Sequence, residues 1–541
     1  MTGPEPLAHL LISGEGVVVA SDGNTAGGVP AWVVVGSPGG FVIPGLPSRM
    51  SGPGDELGGA HGHEHVIEWR DLAIARLRRG GRDGDELSVE APGSRATGLS
   101  VAISPDEGIF GLGERFDRVD QRGSVRRLWV ENGAHGEKAY KPVPVVMSSA
   151  GWGVVALATR AVTVSAGSPI APERLILLCD GESARIVVLH ARGLAGLVER
   201  YTSLAGRAEV PPRWFFLPWK AGDWNRENQV TVVADLRKQS EIGVTWGAKL
   251  IDAGWEREGH DFTFDKAKYP DPAGILRLAE ESQTAVVLWI SPSITAGTEA
   301  HREAAAAGAL ITDETGAPYV HDLGNQPGWR GSAVDFTSER AVRWWQDKLR
   351  PLVEAGVRGF KTDFGEQLPA DCVLADGRRG FEVHNDYPRL YNEATWAVVR
   401  PAGGVLLARS AWHGSQPLSA IWAGDQSSDY SPWAGLPSAI VAGQTAGLCG
   451  FPYWGSDIGG YFGSPTADCF ARWTEFSAYC PLMQLHGLGV REPWELGEEV
   501  LSIFVRYARL HASLVEYSLH AAEQARRSGM PMMRAMALVD A

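Results

Sequence analysis

The sequence predicts an α/β protein in which a closed (β/α)8 barrel follows an N-terminal β-sandwich. From about residue 206, short apolar runs alternate with longer amphipathic segments, a pattern typical of βα units and a parallel sheet. Before that point, short β-rich runs alternate with Gly, Pro and Asp turns, as in an antiparallel sandwich. We therefore place the sandwich domain at residues 1–205 and the barrel domain at residues 206–541.

Individual elements follow from the same patterns. The sandwich strands include the runs 17–19, 32–35, 162–164 and 186–188. Helices are expected over Val230–Ile242 and Glu339–Glu354. A barrel of this kind closes with eight strands. We assign them to Phe215–Trp219, Ala248–Asp252, Ala285–Ile290, Val357–Asp363, Val405–Arg409, Ala420–Asp425, Leu448–Trp454 and Met530–Arg534.

Composition narrows the class of protein. The chain has 541 residues, 44% of them hydrophobic and 21% charged, as expected of a soluble globular protein with a full core. Its net charge of −14 argues against a nucleic-acid partner, whose phosphates would repel it. The first residues lack the basic start and long apolar stretch expected of a signal peptide, and no run reaches the eighteen or so apolar residues of a membrane span. Its five scattered cysteines contain no CxxC pair, and together these features predict a cytoplasmic protein.

Polar, charged or aromatic residues recur where the predicted barrel strands end. A single Asp at such a position commonly caps the following helix. A whole rim of these residues is harder to explain by capping, because buried charges are costly unless they are paired. Parallel barrels carry their chemistry at this end. The residues are Asp252, Trp289, Lys361, Asp363, Arg409, Asp425 and Asp457.

Two of these carboxyls suit one reaction in particular. Lys361 and Arg409 would hold Asp363 ionised, as a nucleophile requires. Asp425 follows Trp422-Ala423-Gly424, an apolar setting that would raise its pKa and keep it protonated as a general acid. One ionised and one protonated carboxyl are what retaining cleavage of a glycosidic bond needs.

Several motifs resemble glycoside hydrolase family 31. Residues 361–366, Lys-Thr-Asp-Phe-Gly-Glu, are similar to its nucleophile motif in the version of the α-xylosidases. Residues 408–416 resemble its Arg-Ser…Gly-Ser-Gln segment, and residues 455–461 its Ser-Asp-Ile-Gly-Gly block. Residues 422–426 resemble its acid/base segment, in the form most like sulfoquinovosidases. Residues 111–116 and 138–144 are similar to the family's mutarotase-like N-terminal sandwich.

The resemblance implies a function and a set of roles. The chain would be an exo-α-glycosidase that retains configuration through a covalent glycosyl-enzyme, with neither cofactor nor metal. Its partner would be a small glycoside or oligosaccharide. Asp363 would be the nucleophile and Asp425 the acid/base. The substrate-binding residues would be Asp252, Trp255, Trp289, Lys361, Arg409, Trp422 and His486.

Departures from the family pattern bear on the substrate. The α-xylosidases fill the space of a hexose CH₂OH with bulky residues after the equivalent of Asp252, whereas Ala253 and Gly254 are small here. We therefore expect a neutral hexoside, an α-glucoside or α-galactoside, with xyloside second. Trp224 or Phe262 would be able to close the same volume from other loops. A sulfoquinovosidase is a further alternative, although residues 252–269 offer no match to the Gln and Arg…Trp set with which those enzymes bind a sulfonate.

Three alternatives stay open. Family members usually continue into C-terminal β-domains, so this chain is expected to be a fragment or a shortened member. The apolar barrel surface that those domains usually cover would then be exposed, which favours a homo-oligomer. A truncated, inactive sugar-binding homologue is a second reading, although Asp363 and Asp425 are both in place. His61, His63 and His65 alternate as metal ligands on a strand do, but they lie far from the barrel motifs.

Overall fold

The computed structural model describes residues 84–133, 138–323, 329–418 and 420–539; before residue 84 it describes the strands given below and the side chains of residues 74–78. Two antiparallel sheets come first along the chain. In order of hydrogen-bonded neighbours, the first contains β1 (Leu10–Ser13), β2 (Gly16–Val19), β3 (Val29–Ser37), β9 (Ala96–Ala102), β15 (Arg174–Asp180), β14 (Val162–Ala166) and β11 (Ser124–Leu128), with β4 (Gly40–Val42) paired to β3.

The second sheet packs against the first. Its strands, again in the order of neighbours, are β10 (Ile109–Gly111), β12 (Val145–Ser148), β13 (Trp152–Ala156), β16 (Ser183–His190), β8 (Gly84–Glu90), β7 (Ala73–Gly81), β6 (Glu64–Trp69) and β5 (Arg49–Ser51). One apolar cluster joins Leu99 and Leu177 of the first sheet to Leu87 and Ile186 of the second. The predicted β-sandwich is therefore confirmed.

Eight parallel strands then close into a barrel. They are β17 (Trp219–Ala221), β18 (Ala248–Ile251), β19 (Ala285–Ile290), β23 (Val357–Thr362), β24 (Val405–Ala408), β25 (Ala420–Trp422), β26 (Trp454–Asp457) and β27 (Leu482–Leu485). A small sheet of β20 (Ser293–Thr295), β22 (Arg330–Ala333) and β21 (His321–Asp322) lies in the connection between β19 and β23. The predicted barrel is confirmed.

Helices connect these strands, and their ends follow from local sequence. Before α2, the Asn228 side chain accepts from the N–H groups of Val230 and Thr231, and Gly243 ends the helix in the left-handed conformation. The helices are α1 (Gly193–Ala205), α2 (Gln229–Ile242), α3 (Pro272–Glu281), α4 (Glu299–Ala306), α5 (Glu339–Ala355), α6 (Gly380–Val383), α7 (Tyr387–Val399), α8 (Leu436–Leu448), α9 (Ala467–Ser477), α10 (Glu498–Ser513) and α11 (Val515–Ser528). Short 3₁₀ turns occupy Arg213–Phe216, Arg400–Ala402 and Met536–Leu538.

Three of the predicted barrel strands are wrong. The first begins only at Trp219, because residues 213–216 form a 3₁₀ turn. Residues 448–453 are not a strand, because α8 runs to Leu448 and β26 starts at Trp454. The eighth strand is β27, which pairs with both β26 and β17. Residues 530–534 form no strand, since Pro531 lacks a backbone donor and Met533 packs against α8 at Gly443.

Sandwich and barrel share apolar packing. One core cluster includes Val145 and Val187 of the sandwich together with Ile421 and Trp454 of the barrel. All five cysteines are buried and unbridged. In the part of the chain that the structure describes, no helix combines the length and apolarity needed to cross a bilayer.

Candidate active site

A cavity of about 110 Å³ lies at the carboxyl ends of the barrel strands. Six of the nine predicted site residues line it: Asp252, Trp289, Lys361, Asp363, Arg409 and Asp425. The other lining residues are Asn132, Trp224, Ala253, Trp329, Phe364, Tyr461, Phe462 and Leu488. The charged residues come from the ends of four different strands, because parallel strands all present their carboxyl ends on the same face.

Asp363 is fixed by three contacts. Trp289 Nε1 donates to its Oδ2 at 2.7 Å, and the N–H of Phe364 donates to its Oδ1 at 2.9 Å. The guanidinium of Arg409 forms an ion pair with Oδ1 at 3.0 Å. Phe364 itself has φ +60°, a left-handed conformation that is strained for a residue with a side chain. The turn after β23 is therefore held in an unusual shape that aims Asp363 into the cavity.

Arg409 is in turn held by a second carboxylate. Its guanidinium donates to Glu366 Oε1, and Ser410 Oγ donates to Glu366 Oε2 at 2.8 Å. The guanidinium also lies 4.1 Å from the centre of the Phe364 ring. Burial alone would lower the pKa of Arg409, but Asp363 and Glu366 raise it above its ordinary value. Arg409 therefore remains a cation beside Asp363.

Asp425 has a different environment. Its carboxyl lines the cavity on the turn after β25, and within the described residues it forms no ion pair. Burial, partly offset by Arg409 and reinforced by the negative charge of Asp363, raises its pKa to about 6. Asp425 therefore accepts a proton at a pH where an exposed Asp would be ionised.

Lys361 joins Asp252 to His486. Its ammonium donates to Asp252 Oδ2 at 2.7 Å and lies 3.1 Å from His486 Nε2. Because an ammonium only donates, His486 Nε2 accepts and the imidazole is neutral. Burial first, and then the charge of Lys361, hold the pKa of His486 well below its ordinary value. Asp252 is thus oriented towards the cavity, with Ala253 N–H donating to its Oδ1 at 2.8 Å.

Three predicted residues lie behind the cavity wall. His486 acts on the cavity through Lys361, as described above. Trp255 is fully buried and donates through Nε1 to the carbonyl of Trp289, which supports that ring. Trp422 is buried under the ammonium of Lys361, 4.8 Å from its ring centre. Trp255 and Trp422 are not among the residues that line the cavity, so their contact with substrate stays a prediction.

Several lining residues were not among the predicted site residues, although Trp224 had been named as able to close the C6 volume. Trp224 and Trp329 form a tilted ring pair with centroids 6.1 Å apart, and both are half-buried at the cavity. Phe462 and Leu488 add further partly exposed apolar surface. These residues lie in loops after β17, β21, β26 and β27, where no strand-end pattern marks them. Asn132 comes from the sandwich, far away in sequence.

Asp457, also noted at a strand end, lies behind the lining residues. Gln484 Nε2 donates to its Oδ1 at 2.5 Å, and its Oδ2 has no partner among the residues that are described. Burial, reinforced by Asp425 and Asp252 and opposed by Lys361, raises its pKa to about 7. Asp457 is therefore a second carboxyl near the site that holds a proton more tightly than usual.

No cluster of three or more His, Cys, Asp or Glu residues suited to a metal occurs within the described part of the chain. His61 and His63 of the candidate His cluster lie outside the described residues, and His65 is described only as strand backbone.

Comparisons with known proteins place these observations in a family. Residues 208–521 match the glycosyl hydrolases family 31 TIM-barrel domain, and residues 64–164 match the glycosyl hydrolase 31 N-terminal galactose mutarotase-like domain. The chain is 32% identical to alpha-xylosidase XylQ of Lactiplantibacillus pentosus, over 81% of this chain and 58% of that protein. It is 31% identical to 1,3-alpha-isomaltosidase of Kribbella flavida, over 86% and 71%.

A solved structure also aligns with most of the chain. The cycloalternan-degrading enzyme from Trueperella pyogenes, in complex with isomaltose, aligns with a TM-score of 0.76 at 25% identity, covering 98% of this chain and 86% of that one. The chain spans only 58% of the length of alpha-xylosidases from Lactiplantibacillus pentosus and Emericella nidulans, two of the relatives that it matches. The barrel match alone extends over more than half of the residues, and on this evidence the chain belongs to glycosyl hydrolase family 31.

Proposed function

We propose that this chain is a retaining exo-α-glycosidase in which Asp363 is the nucleophile and Asp425 the acid/base. One observation carries the proposal: two carboxyls with opposite electrostatic settings line the same cavity. Asp363 is ion-paired with Arg409, whereas burial raises the pKa of Asp425 to about 6. Such a division matches the two tasks of a retaining mechanism.

The reaction proceeds in two displacements. In the first, a carboxylate oxygen of Asp363 attacks the anomeric carbon as the bond to the aglycone oxygen breaks, and Asp425 gives its proton to that oxygen. A β-glycosyl ester on Asp363 and a free alcohol result. In the second, Asp425 takes a proton from water, whose oxygen attacks the anomeric carbon and releases Asp363 as a carboxylate. We expect the two carboxyl groups to stand about 5.5 Å apart, the retaining spacing.

For the bound sugar we propose a neutral α-hexoside. The two cations that line the cavity in the described part of the chain, Lys361 and Arg409, are both already paired with carboxylates, so neither is spare for a sulfonate. Ala253 lines the cavity beside Asp252, which leaves room for a C6 hydroxymethyl group. The names of two relatives, an isomaltosidase and an enzyme solved with isomaltose, support a glucoside.

An α-xyloside is the second candidate, favoured by the position of one indole. A Cβ placed on Gly254 would lie 3.8 Å from the Trp224 ring, so Trp224 approaches the volume where a C6 group would sit. Phe262, the other side chain considered, packs instead against Trp345 with ring centroids 5.1 Å apart. The 32% identity to an alpha-xylosidase also supports this candidate.

A panel of p-nitrophenyl α-glycosides tests both candidates. We expect the highest kcat/KM on the glucoside or galactoside; a higher value on the xyloside than on every hexoside would favour the second candidate. NMR of the first-formed sugar should show the α configuration, and a β product would overturn the retaining mechanism. A 5-fluoro-α-glycosyl fluoride should label Asp363, detected by peptide mass. A protein that binds these sugars without turnover would be the inactive homologue instead.

Filling the C6 space tests the specificity directly. Gly254 is a poor position for this, because its φ of +78° would strain any side chain. Ala253→Leu places the added atoms at the cavity wall. We expect kcat/KM on hexosides to fall at least about tenfold relative to the xyloside, since misfit of one methylene costs about 1–3 kcal/mol. Ala267→Leu, an exposed position in the following loop, is the matched control; an equal loss on both sugars would contradict the assignment.

A further inference from the structure

Lys141 connects the sandwich to the carboxyl ends of two barrel strands. It lies between β11 and β12 and is completely buried. Its ammonium forms an ion pair with Glu114 Oε2 at 2.7 Å, and the Glu114 side chain is completely buried too. The same ammonium donates to the carbonyl of Arg409 at 2.9 Å and to that of Trp422 at 2.8 Å. The ammonium therefore contacts one carboxylate through an ion pair and two barrel carbonyls through hydrogen bonds.

The two carbonyls lie where the strand pairing stops. The ladder between β24 and β25 consists of Leu407 opposite Ala420 and Ala408 opposite Ile421. Arg409 and Trp422 are the next residues along each strand, beyond the last pair. Lys141 bridges them from outside the barrel, so it replaces the interstrand hydrogen bonds that would otherwise fix the spacing at this point.

Tyr140 adds a steric contact on the same turn. Its ring lies against Gly424, where a Cβ would come within 2.3 Å of the ring carbon Cε2. The Arg409 guanidinium lies 5.0 Å from the centre of the ring. Tyr140 Oη donates to Asn132 Oδ1 at 3.1 Å, and Asn132 lines the cavity. The segment 140–141 therefore contacts the turn that carries Asp425 at Trp422 and at Gly424, just before the carboxyl.

We propose that Lys141 is a positioning residue for Asp425: by clamping the carbonyls of Arg409 and Trp422, the sandwich fixes the direction from which the acid reaches the leaving oxygen. This inference rests on the proposed function of Asp425. Proton transfer to a leaving group demands hydrogen-bond reach, and a shift of about 1 Å is enough to impair it. The clamp matters most when the leaving group is a poor one, because such groups depend on protonation.

The test compares two leaving groups in one variant. Lys141→Met/Glu114→Gln removes the ammonium without leaving an unpaired buried charge, and the amide oxygen of the introduced side chain still accepts from Trp454 Nε1, as Glu114 Oε1 does at 2.8 Å. We expect kcat/KM on a methyl α-glycoside to fall about 10- to 100-fold, within the range of general acid catalysis, and on the α-glycosyl fluoride less than about threefold. KM should change little. The alkaline limb of the pH profile should move to lower pH, because a loosened Asp425 is less buried.

Controls separate positioning from stability. Arg126→Met/Asp117→Asn removes another ion pair of the sandwich, which does not reach the barrel strands, and should lower Tm without changing the ratio of the two substrates. Equal losses on both substrates, or no loss, would overturn the proposal. If the Lys141 variant does not fold, Tyr140→Leu decides by the same ratio, because it removes the ring that lies against Gly424 without placing a side chain at the left-handed φ of that glycine. A wild-type chain inactive on both substrates would instead overturn the proposed function.

Discussion

The raised pKa of Asp425 predicts how kcat/KM should change with pH. Burial raises the pKa of this carboxyl to about 6, and only the protonated form can act as the acid. The fraction protonated is about 0.9 at pH 5 and about 0.1 at pH 7, so kcat/KM on a methyl α-glycoside should fall about tenfold between these values. Asp425→Asn removes the titrating group, and the alkaline limb should disappear with it.

The size of the loss should depend on the substrate. General acid catalysis contributes about 10²- to 10⁴-fold, so Asp425→Asn should lower kcat/KM by that factor on a methyl α-glycoside. On an α-glycosyl fluoride, whose leaving group needs little protonation, glycosylation should be nearly unaffected. Azide, which needs no general base, should restore turnover of the trapped ester by forming the α-glycosyl azide.

The assay is a pH series of kcat/KM from pH 4 to 9 on both substrates. Asp347→Asn is the matched control, because it makes the same chemical change at a carboxyl that is 69% exposed on α5. An alkaline limb that survives unchanged in Asp425→Asn would refute the assignment of the acid. Equal losses on the two leaving groups would do the same.

Two further predictions concern neighbouring groups. Trp289→Phe keeps a ring but removes the N–H that donates to Asp363 at 2.7 Å. Because a hydrogen bond to a charged group is worth about 1.5–3 kcal/mol, kcat/KM should fall about 10- to 100-fold. An unchanged kcat/KM in a folded variant would contradict this role of Trp289. Asp457 has a pKa raised to about 7, so its ionisation destabilises the folded state progressively as pH rises from the unfolded value towards 7. The free energy of unfolding of Asp457→Asn minus that of the wild type should therefore be about 3 kcal/mol larger at pH 8 than at pH 5, as measured by urea unfolding. A difference that does not change with pH would argue against a protonated Asp457.

Much of the barrel could be predicted because its signals are local. Apolar runs identify strands, and the first polar residue after each run falls on the catalytic face of a parallel barrel. Asp252, Lys361, Asp363, Arg409 and Asp425 were all found in this way, and the structure brings them to one cavity. The prediction required only that the strands be parallel and adjacent, not that their exact ends be known.

The failures arose where neighbours along the chain do not decide the structure. The apolar stretch before Trp454 looked like a strand, but residues 449–453 connect the end of α8 to β26, and Cys449 and Phe451 are apolar because they are buried in the core that barrel and sandwich share. Trp224 and Trp329 meet only because two distant loops fold over the same face. The domain division at residues 205 and 206, the cytoplasmic location and a homo-oligomer stay predictions.

The carboxyls at the cavity differ in whether they form ion pairs. Three carboxyls (Asp252, Asp363 and Asp425) and two cations (Lys361 and Arg409) line the cavity in the described part of the chain, with Glu366 and Asp457 behind them. Lys361 contacts Asp252, while Arg409 contacts Asp363 and Glu366. Neither cation forms an ion pair with Asp425 or Asp457 in the described part of the chain, and these are the two carboxyls whose pKa is raised to about 6 and about 7. Burial without an ion pair is thus what raises the pKa of these two carboxyls. Of the two, Asp425 lines the cavity, and the proposed clamp at the carbonyls of Arg409 and Trp422 acts on the turn that carries it.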